Sequence, residues 1–369
     1  MIAWNYSQIK VQPAEFNSLL LAWHEKHGRH DLPWRQDISP YRVWVSEIML
    51  QQTRVRTVIP YFDAFMKRFP DISTLAGASL DEVLHLWTGL GYYARARHLH
   101  QAAGLIMQNH AGEFPRDISD VVALPGVGRS TAGAILAIAT NQCLPVLDGN
   151  VKRVLARFHI IEGWPGSAVI QKRLWALAEN LTPVNRVAEY TQAIMDLGAM
   201  VCIRHNPDCA QCPVQPGCLA HKTSRQHELP YPRPKKQLPV RRKVFAILEN
   251  RAGEILLEQR PPTGIWGGLW SFPECTPEQD IELWLKKQWG YTVNRMEYKS
   301  PLPHTFSHFR LDIIPVHIMV DDSRTKIHDT GRYCWYRPAE NRLIGMATPV
   351  RKLMQQITGR YSPQEKING

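Results

Sequence analysis

Two carboxylates and four thiols carry the chemistry legible in this chain. Cys202, Cys209, Cys212 and Cys218 fall within seventeen residues, spaced C-x6-C-x2-C-x5-C. Thiolates this close in sequence suit a shared metal, and zinc and an iron–sulfur cluster are the two chemistries that want four of them. Two disulfides are the alternative pairing. Against them, Cys143, Cys275 and Cys334 lie far apart, and the first residues show no apolar run after a basic start. Both features point to a reducing, cytoplasmic setting in which disulfides rarely persist.

Glu47 sits in Trp44-Val-Ser-Glu-Ile-Met-Leu-Gln-Gln-Thr53, among almost wholly apolar neighbours. Trp44, Ile48 and Leu50 would surround it with low dielectric and raise its pKa, a costly placement unless the acid is used. Asp148, in Val146-Leu-Asp-Gly-Asn-Val-Lys-Arg153, stands where a helix should begin. Aspartate is a good N-cap, and a helix N-terminus stabilises it as the anion. A raised-pKa acid beside a fixed anion is the pairing that glycosidic cleavage needs. The acid protonates the leaving group while the anion faces the positive sugar. A 2-deoxyribose lacks the 2-hydroxyl, so an oxocarbenium-like species forms more readily.

Between these groups lies Leu124-Pro-Gly-Val-Gly128, followed by Arg129-Ser-Thr-Ala-Gly-Ala. Gly126 and Gly128 allow a sharp turn whose N–H groups can converge on a phosphate oxygen, and the next helix presents its first amides, around Thr131, to the same anion. Such binding ignores base identity and sets register. A bare G-x-G is usually an ordinary turn. Placed twenty residues before Asp148 and followed by the cysteines, it reads as a helix–hairpin–helix contact with DNA.

The elements that must hold these groups are helical. Apolar residues recur at three- and four-residue steps in Phe16–His27, Tyr41–Arg54, Val58–Phe69, Leu80–Leu90, Ala94–Asn109, Ile118–Ala123, Thr131–Thr140, Asn150–Phe158, Gln171–Leu181 and Tyr190–Val201. Leu229–Pro239 carries four prolines and reads as a semi-rigid linker. Six basic residues fall between Arg233 and Lys243 with no acid among them, and much of the net charge of +11 sits there. Up to Pro230 there are 22 basic and 19 acidic residues, so the helical part is nearly balanced and charge alone is weak evidence for a polyanionic partner. Beyond the linker, Val244–Leu248 and Glu254–Gln259 flank a turn at Asn250–Gly253, Glu278–Trp289 predicts a helix, and Leu311–Val320 alternates like a strand. The 369 residues thus divide into a helical domain (1–228), a basic Pro-rich linker (229–243) and an α+β domain (244–369). No apolar run has the length of a membrane span.

The chain closely resembles the adenine DNA glycosylases, of the helix–hairpin–helix superfamily that includes endonuclease III. The resemblance runs from about Phe16 to about Gln356, through LPWR (Leu32–Arg35), SEIMLQQT (Ser46–Thr53), GLGYYARAR (Gly89–Arg97), LPGVGRSTAGAI (Leu124–Ile135), LDGNVKRVLAR (Leu147–Arg157), MDLGA (Met195–Ala199), the four cysteines and HTFSH (His304–His308). It implies an all-α glycosylase domain with an iron–sulfur loop at 202–218, then a Nudix-like lesion-recognition domain. It implies removal of adenine mispaired with 8-oxoguanine or guanine in double-stranded DNA, by a monomer. Glu47 would protonate adenine N7, Asp148 would stabilise or capture the sugar cation, and Asn150 and Arg35 would organise the pocket. The adenine would have to leave the stack. Gln52 and Tyr92 would wedge beside the remaining 8-oxoguanine, with Leu90 and Thr53 near it, and Phe306, Ser307 and His308 would contact that base. The cysteines would hold a [4Fe–4S] cluster, with Arg204, His205 and Lys222 meeting phosphate.

Two departures refine this expectation. Ser130 stands where the endonuclease III-like enzymes carry a lysine, and a hydroxyl cannot form a Schiff base, so the glycosylase should be monofunctional. Lys152, four residues after Asp148, is expected to contact phosphate. Gly268-Leu-Trp-Ser-Phe-Pro-Glu274 opens like a Nudix box, but Glu282-Leu-Trp-Leu-Lys-Lys-Gln places lysines where magnesium-binding carboxylates are needed. Pyrophosphatase chemistry is therefore not expected. The competing readings are an oxidised-pyrimidine glycosylase with lyase activity, a nucleotide hydrolase with a DNA-binding appendage, and a non-catalytic DNA-binding or redox-sensing protein.

Overall fold

Helix starts in this chain are written largely in serine and aspartate. Ser39, Ser79, Asp117, Asp148, Ser167 and Asp280 each accept a hydrogen bond from an amide of the turn they open. Such caps satisfy amides that the helix itself leaves without partners. A computed structural model describes residues 12–234, 237–321, 331–338 and 344–359. The start of the N-terminal stretch read for a leader, residues 1–11, and Lys235 and Lys236 of the linker lie outside the described residues.

The helices in chain order are α1 (Pro13–His27), α2 (Pro40–Leu50), α3 (Val55–Arg68), α4 (Ile72–Gly77), α5 (Leu80–Leu86), α6 (Ala94–Asn109), α7 (Ile118–Ala123), α8 (Arg129–Thr140), α9 (Gly149–Phe158), α10 (Ala168–Leu181), α11 (Val187–Met200) and α12 (Leu219–Lys222). Among the described residues every regular element before Val240 is helical. Two expected helices end early for a visible reason. Tyr41–Arg54 stops at Leu50 because Gln52 turns left-handed (φ 58°). Leu80–Leu90 stops at Leu86, ahead of a turn in which Gly89, Gly91 and Tyr92 all have positive φ.

The residues form two compact units that do not follow chain order. One holds residues 1–76 and 101–235, the other residues 77–100 and 236–369. In the first, α1, α8, α9, α10 and α11 enclose a core that includes Phe16, Leu20, Leu155, Phe158, Leu174 and Leu197. Helix α11 crosses α9 at Gly198, where an added Cβ would lie 2.6 Å from Asn150 Cβ. Only glycine permits that approach, which fixes the start of α9 against α11.

In the second unit β1 (Val240–Glu249) and β2 (Ile255–Gln259) form the expected hairpin, with Glu249 opposite Ile255. Strands β3 (Trp270–Ser271), β4 (Glu274–Cys275), β5 (Thr292–Tyr298), β6 (Leu302–Thr305), β7 (Arg310–Asp321) and β8 (Tyr333–Tyr336) complete the sheet, and β1 runs parallel to β7. The helix expected at Glu278–Trp289 begins three residues later, as α13 (Ile281–Trp289) capped by Asp280. A final helix, α14 (Thr348–Thr358), and β5 have no counterpart in the sequence reading. Among the described residues no helix is long and apolar enough to cross a membrane.

Candidate active site and thiol cluster

A cavity of about 550 Å³ opens in the helical unit, lined by Arg35, Glu47, Ser130, Asp148 and Asn150. Gln52, Thr53, Gly128 and Thr131 share its wall, whereas Gly126 and Lys152 are not among the lining residues. Its volume is in the range of ordinary small-ligand pockets. Glu47 projects from the last turns of α2, and Asp148 caps α9.

Burial first, and then the nearby Asp148 charge, raise the Glu47 carboxyl from its ordinary 4.5 to about 7, against the opposing charge of Arg35. Asp148 accepts from the Val151 amide at 2.8 Å through Oδ1 and from Asn150 Nδ2 at 3.1 Å through Oδ2. The helix terminus was expected to settle its charge, but burial is the larger effect and pushes its pKa upward, against the Val151 and Asn150 hydrogen bonds and the Arg153 charge. Two buried carboxyls in one cavity share protons as a pair. The hydrogen-bond donors converge on Asp148 and favour its anion, against the effect of burial.

Ser130 Oγ accepts from the Leu147 amide at 3.0 Å, tying α8 to the strand of chain that delivers Asp148. Of the two glycines in the hairpin turn between α7 and α8, only Gly126 is left-handed (φ 79°). Gly128 is extended (φ −98°, ψ 171°), and its role is room: an added Cβ would meet nothing within 4 Å, and no side chain caps the helix it opens. Amides at an uncapped, unobstructed helix start are an anion site in waiting.

The four cysteines line a separate, largely apolar cavity with Val154, Phe158, Leu197 and Val201, and none forms a disulfide. Arg157, buried in the wall, donates to Cys202 Sγ at 3.3 Å and to the carbonyls of Ile203 at 2.7 Å and Arg204 at 3.0 Å. Among the described residues no three His, Cys, Asp or Glu groups converge on one ion-sized point. Four thiols around a common space are a donor set that suits zinc and an iron–sulfur cluster alike. Arg204, His205 and Lys222 are exposed.

Residues 45–180 match the model of the HhH-GPD superfamily of base excision DNA repair proteins, and residues 244–356 match the NUDIX domain. The chain is 38% identical over 342 residues to the adenine DNA glycosylase of Buchnera aphidicola subsp. Acyrthosiphon pisum, covering 93% of this chain and 97% of that protein. The chain belongs to the adenine DNA glycosylase family. It is also 36% identical to the human adenine DNA glycosylase, over 80% of this chain and 65% of that one. The fold of a thermostable thymine-DNA glycosylase covers 57% of this chain and 97% of its own, with a TM-score of 0.51 at 26% identity. Family membership makes this chain a DNA glycosylase built from a helical domain and a Nudix domain.

Several residues that shape the family's cavity in this chain escaped the sequence reading. Asp196, fully buried, accepts from Arg35 Nη1 at 2.8 Å and Nη2 at 2.9 Å and from the Arg29 amide at 3.0 Å. Burial alone would raise its pKa, but His24, 3.6 Å away, and then the Arg35 and Arg29 contacts hold it well below the usual carboxylate range. Arg35 is therefore held by a fixed fork in the cavity wall, where its charge lowers the Glu47 pKa. Arg153 donates to Asn150 Oδ1 at 2.9 Å and to the Cys202 carbonyl at 2.6 Å, linking Asp148 through Asn150 to the thiol loop. The motifs MDLGA and LDGNVKRVLAR contained these groups. Arg29 and Arg35 lie 167 and 161 residues from Asp196, and Cys202 lies 49 from Arg153, so no spacing could assign those partners.

In the second unit, Phe306, Ser307 and His308 occupy the tight turn between β6 and β7. Phe306 stacks on Phe309 at 4.5 Å, while Ser307 and His308 are exposed. Glu274 of the Nudix-like box is paired with Arg260 at 2.7 Å. Leu90 is buried and Tyr92 is half exposed in the turn between α5 and α6.

Proposed function

We propose that this enzyme hydrolyses the N-glycosidic bond of adenine mispaired with 8-oxoguanine or guanine in double-stranded DNA, without cutting the strand. The observation that supports this most is the pair of carboxyls in one cavity: Glu47 raised to about 7 beside a hydrogen-bonded Asp148. An acid poised near neutral pH and an anion held by donors are complementary halves of glycosidic cleavage.

Adenine swings out of the duplex into the cavity. Glu47 gives its proton to N7, and the C1′–N9 bond breaks with its electron pair passing to N9, so adenine leaves neutral. The cationic C1′ faces Asp148, which stabilises it or bonds to it transiently. Water adds to C1′ and its proton returns to the Glu47 carboxylate. Asn150 orients Asp148, and Arg35 limits how far the Glu47 pKa rises. Ser130 offers no amine, so no Schiff base precedes strand cleavage.

Gly126, Gly128, Thr131 and Lys152 contact phosphate. Gln52, Thr53, Leu90 and Tyr92 fill the space beside the estranged base, and Phe306, Ser307 and His308 read the 8-oxoguanine. Cys202, Cys209, Cys212 and Cys218 hold a [4Fe–4S] cluster that braces the loop from 202 to 218, away from the reacting atoms. The working division is a catalytic domain at 1–228, a linker at 229–243 and a reader at 244–369, in a cytoplasmic monomer. The test is base release from duplexes pairing adenine with 8-oxoguanine, G, C or T. Release from the first two, with strand breaks appearing only after alkali, is expected. Equal release from all four, or strand breaks without alkali, contradicts the proposal.

A further inference from the structure

The turn from Gly89 to Tyr92 lies inside the stretch matched by the base-excision-repair model, yet it falls in the compact unit of the Nudix-like domain. The contacts responsible lie on both sides of the turn. Before it, Asp81 of α5 accepts from Gln259 Nε2 at 3.3 Å and from Trp270 Nε1 at 3.4 Å. A Cβ on Gly345 would lie 2.6 Å from Leu84 Cβ, so the strip carrying Gly345 is pressed directly onto α5. After the turn, Arg97 of α6 donates to the Gly267 carbonyl at 2.7 Å.

The most direct tie is a single buried hydroxyl. Tyr93 Oη donates to the Met346 carbonyl at 3.2 Å and accepts from the Gly89 amide at 3.3 Å. Met346 is itself anchored, because its strip pairs with Trp270 and the Trp270 amide donates to the Gly345 carbonyl at 2.9 Å. The turn is rigid within itself as well. Trp87 Nε1 and Arg95 Nη2 both donate to the Gly91 carbonyl, at 3.2 and 3.1 Å. The Arg95 guanidinium lies 5.4 Å from the Trp87 ring and 5.6 Å from the Tyr92 ring. A flexible linker segment would not need this much internal bonding.

We propose that the Tyr93 hydroxyl is a positioning group that fixes the Gly89–Tyr92 turn to the Nudix-like domain, so that turn and domain read the base opposite adenine as one body. This rests on the lesion-dependent reading above. Tyr93 touches no reacting atom in this account. It acts through Gly89 and Met346, so its loss should change discrimination between opposite bases more than the chemical step.

Tyr93→Phe keeps the buried ring and removes both hydrogen bonds. Adenine release is measured for wild type and variant opposite 8-oxoguanine and opposite guanine, for kcat/KM and for the single-turnover rate at saturating enzyme. The ratio of kcat/KM between the two mispairs should fall about fivefold, which is what one ordinary hydrogen bond is worth. The saturated rate opposite 8-oxoguanine should stay within about twofold, because the acid and the anion are untouched. Gly345→Ala, which forces the same strip off Leu84 without deleting a polar atom, should lower the same ratio, and the double variant should lose no more than the worse single variant. An unchanged ratio in Tyr93→Phe, an equal loss on both mispairs, or fully additive losses overturns the coupling. A wild type that ignores the opposite base overturns the parent reading and the coupling with it. A discriminating wild type beside an equally discriminating Tyr93→Phe overturns the coupling alone.

Discussion

Glu47 is buried in the same cavity as Asp148, and burial first, then the Asp148 charge, bring its pKa to about 7. The protonated form is the working acid, so kcat/KM for base release should be flat below about pH 6 and fall as pH rises through about 7. A pH profile of single-turnover release checks this. A descending limb centred well above 8 would remove Glu47 from the role of acid.

The same shift has a cost in stability. Glu47 binds its proton more tightly in the folded chain than the ordinary 4.5 of the unfolded one, so its contribution is fully present below about 4.5 and is lost as pH rises through about 7. Above that pH the loss approaches at most about 3 kcal/mol, since the cavity admits water to screen the charge. Glu47→Gln should therefore melt higher than wild type at pH 8 and show little difference at pH 4.5. Thermal melts at the two pH values, with the difference larger at the acidic one, would contradict this assignment.

Asp196 should matter for stability more than any other buried polar group of the helical unit. It pairs with both Arg35 and Arg29 in the wall of the cavity. Breaking a buried ion pair on one side costs about 3–5 kcal/mol. Asp196→Asn should lower the melting temperature by roughly 10 °C in a domain of this size. It should also slow base release, because Arg35 loses the fork that holds it in the cavity wall. A melting temperature within about 2 °C of wild type would show that the arginines find other partners.

Arg153 spans the distance from Asn150 to the carbonyl of Cys202. Arg153→Leu removes a donor from the chain that orients Asp148, a loss of about 1.5–3 kcal/mol for bonds to charged groups. Single-turnover release should slow by roughly ten- to a hundredfold while mispair binding holds, as fits an interaction used at the chemical step. Iron analysis and visible absorbance belong beside that assay. The wild type should be brown with about four irons per chain, as a [4Fe–4S] cluster requires, and Cys212→Ser should lose most of both. Zinc in the purified protein, or unchanged iron in Cys212→Ser, would contradict the cluster assignment.

Much of the candidate site was legible because its signals are local. Glu47 stood out as one acid in an apolar run, Asp148 as a cap, and the cysteines by spacing. Helices α6 and α7 follow their apolar period to the residue. The ends of α2 and α5 were misread because left-handed residues such as Gln52 and Tyr92 leave no trace in hydrophobic periodicity. Asp196 was hidden for a different reason. Its partner Arg29 is 167 residues away, and a buried ion pair of that separation has no signature in either segment. The membership of residues 77–100 in the second unit was equally invisible, since it depends on where α5 and α6 find their neighbours.

The central claim is that Glu47 and Asp148 divide the work of cleavage between acid and anion. Its most direct test is single-turnover adenine release from an A:8-oxoguanine duplex by Glu47→Gln and Asp148→Asn, with mispair affinity measured on the same preparations. Release should fall by at least about a thousandfold in each variant, the loss of a general acid or of a positioned counter-charge, while binding stays within about tenfold of wild type. Near-wild-type release by either variant would contradict the account.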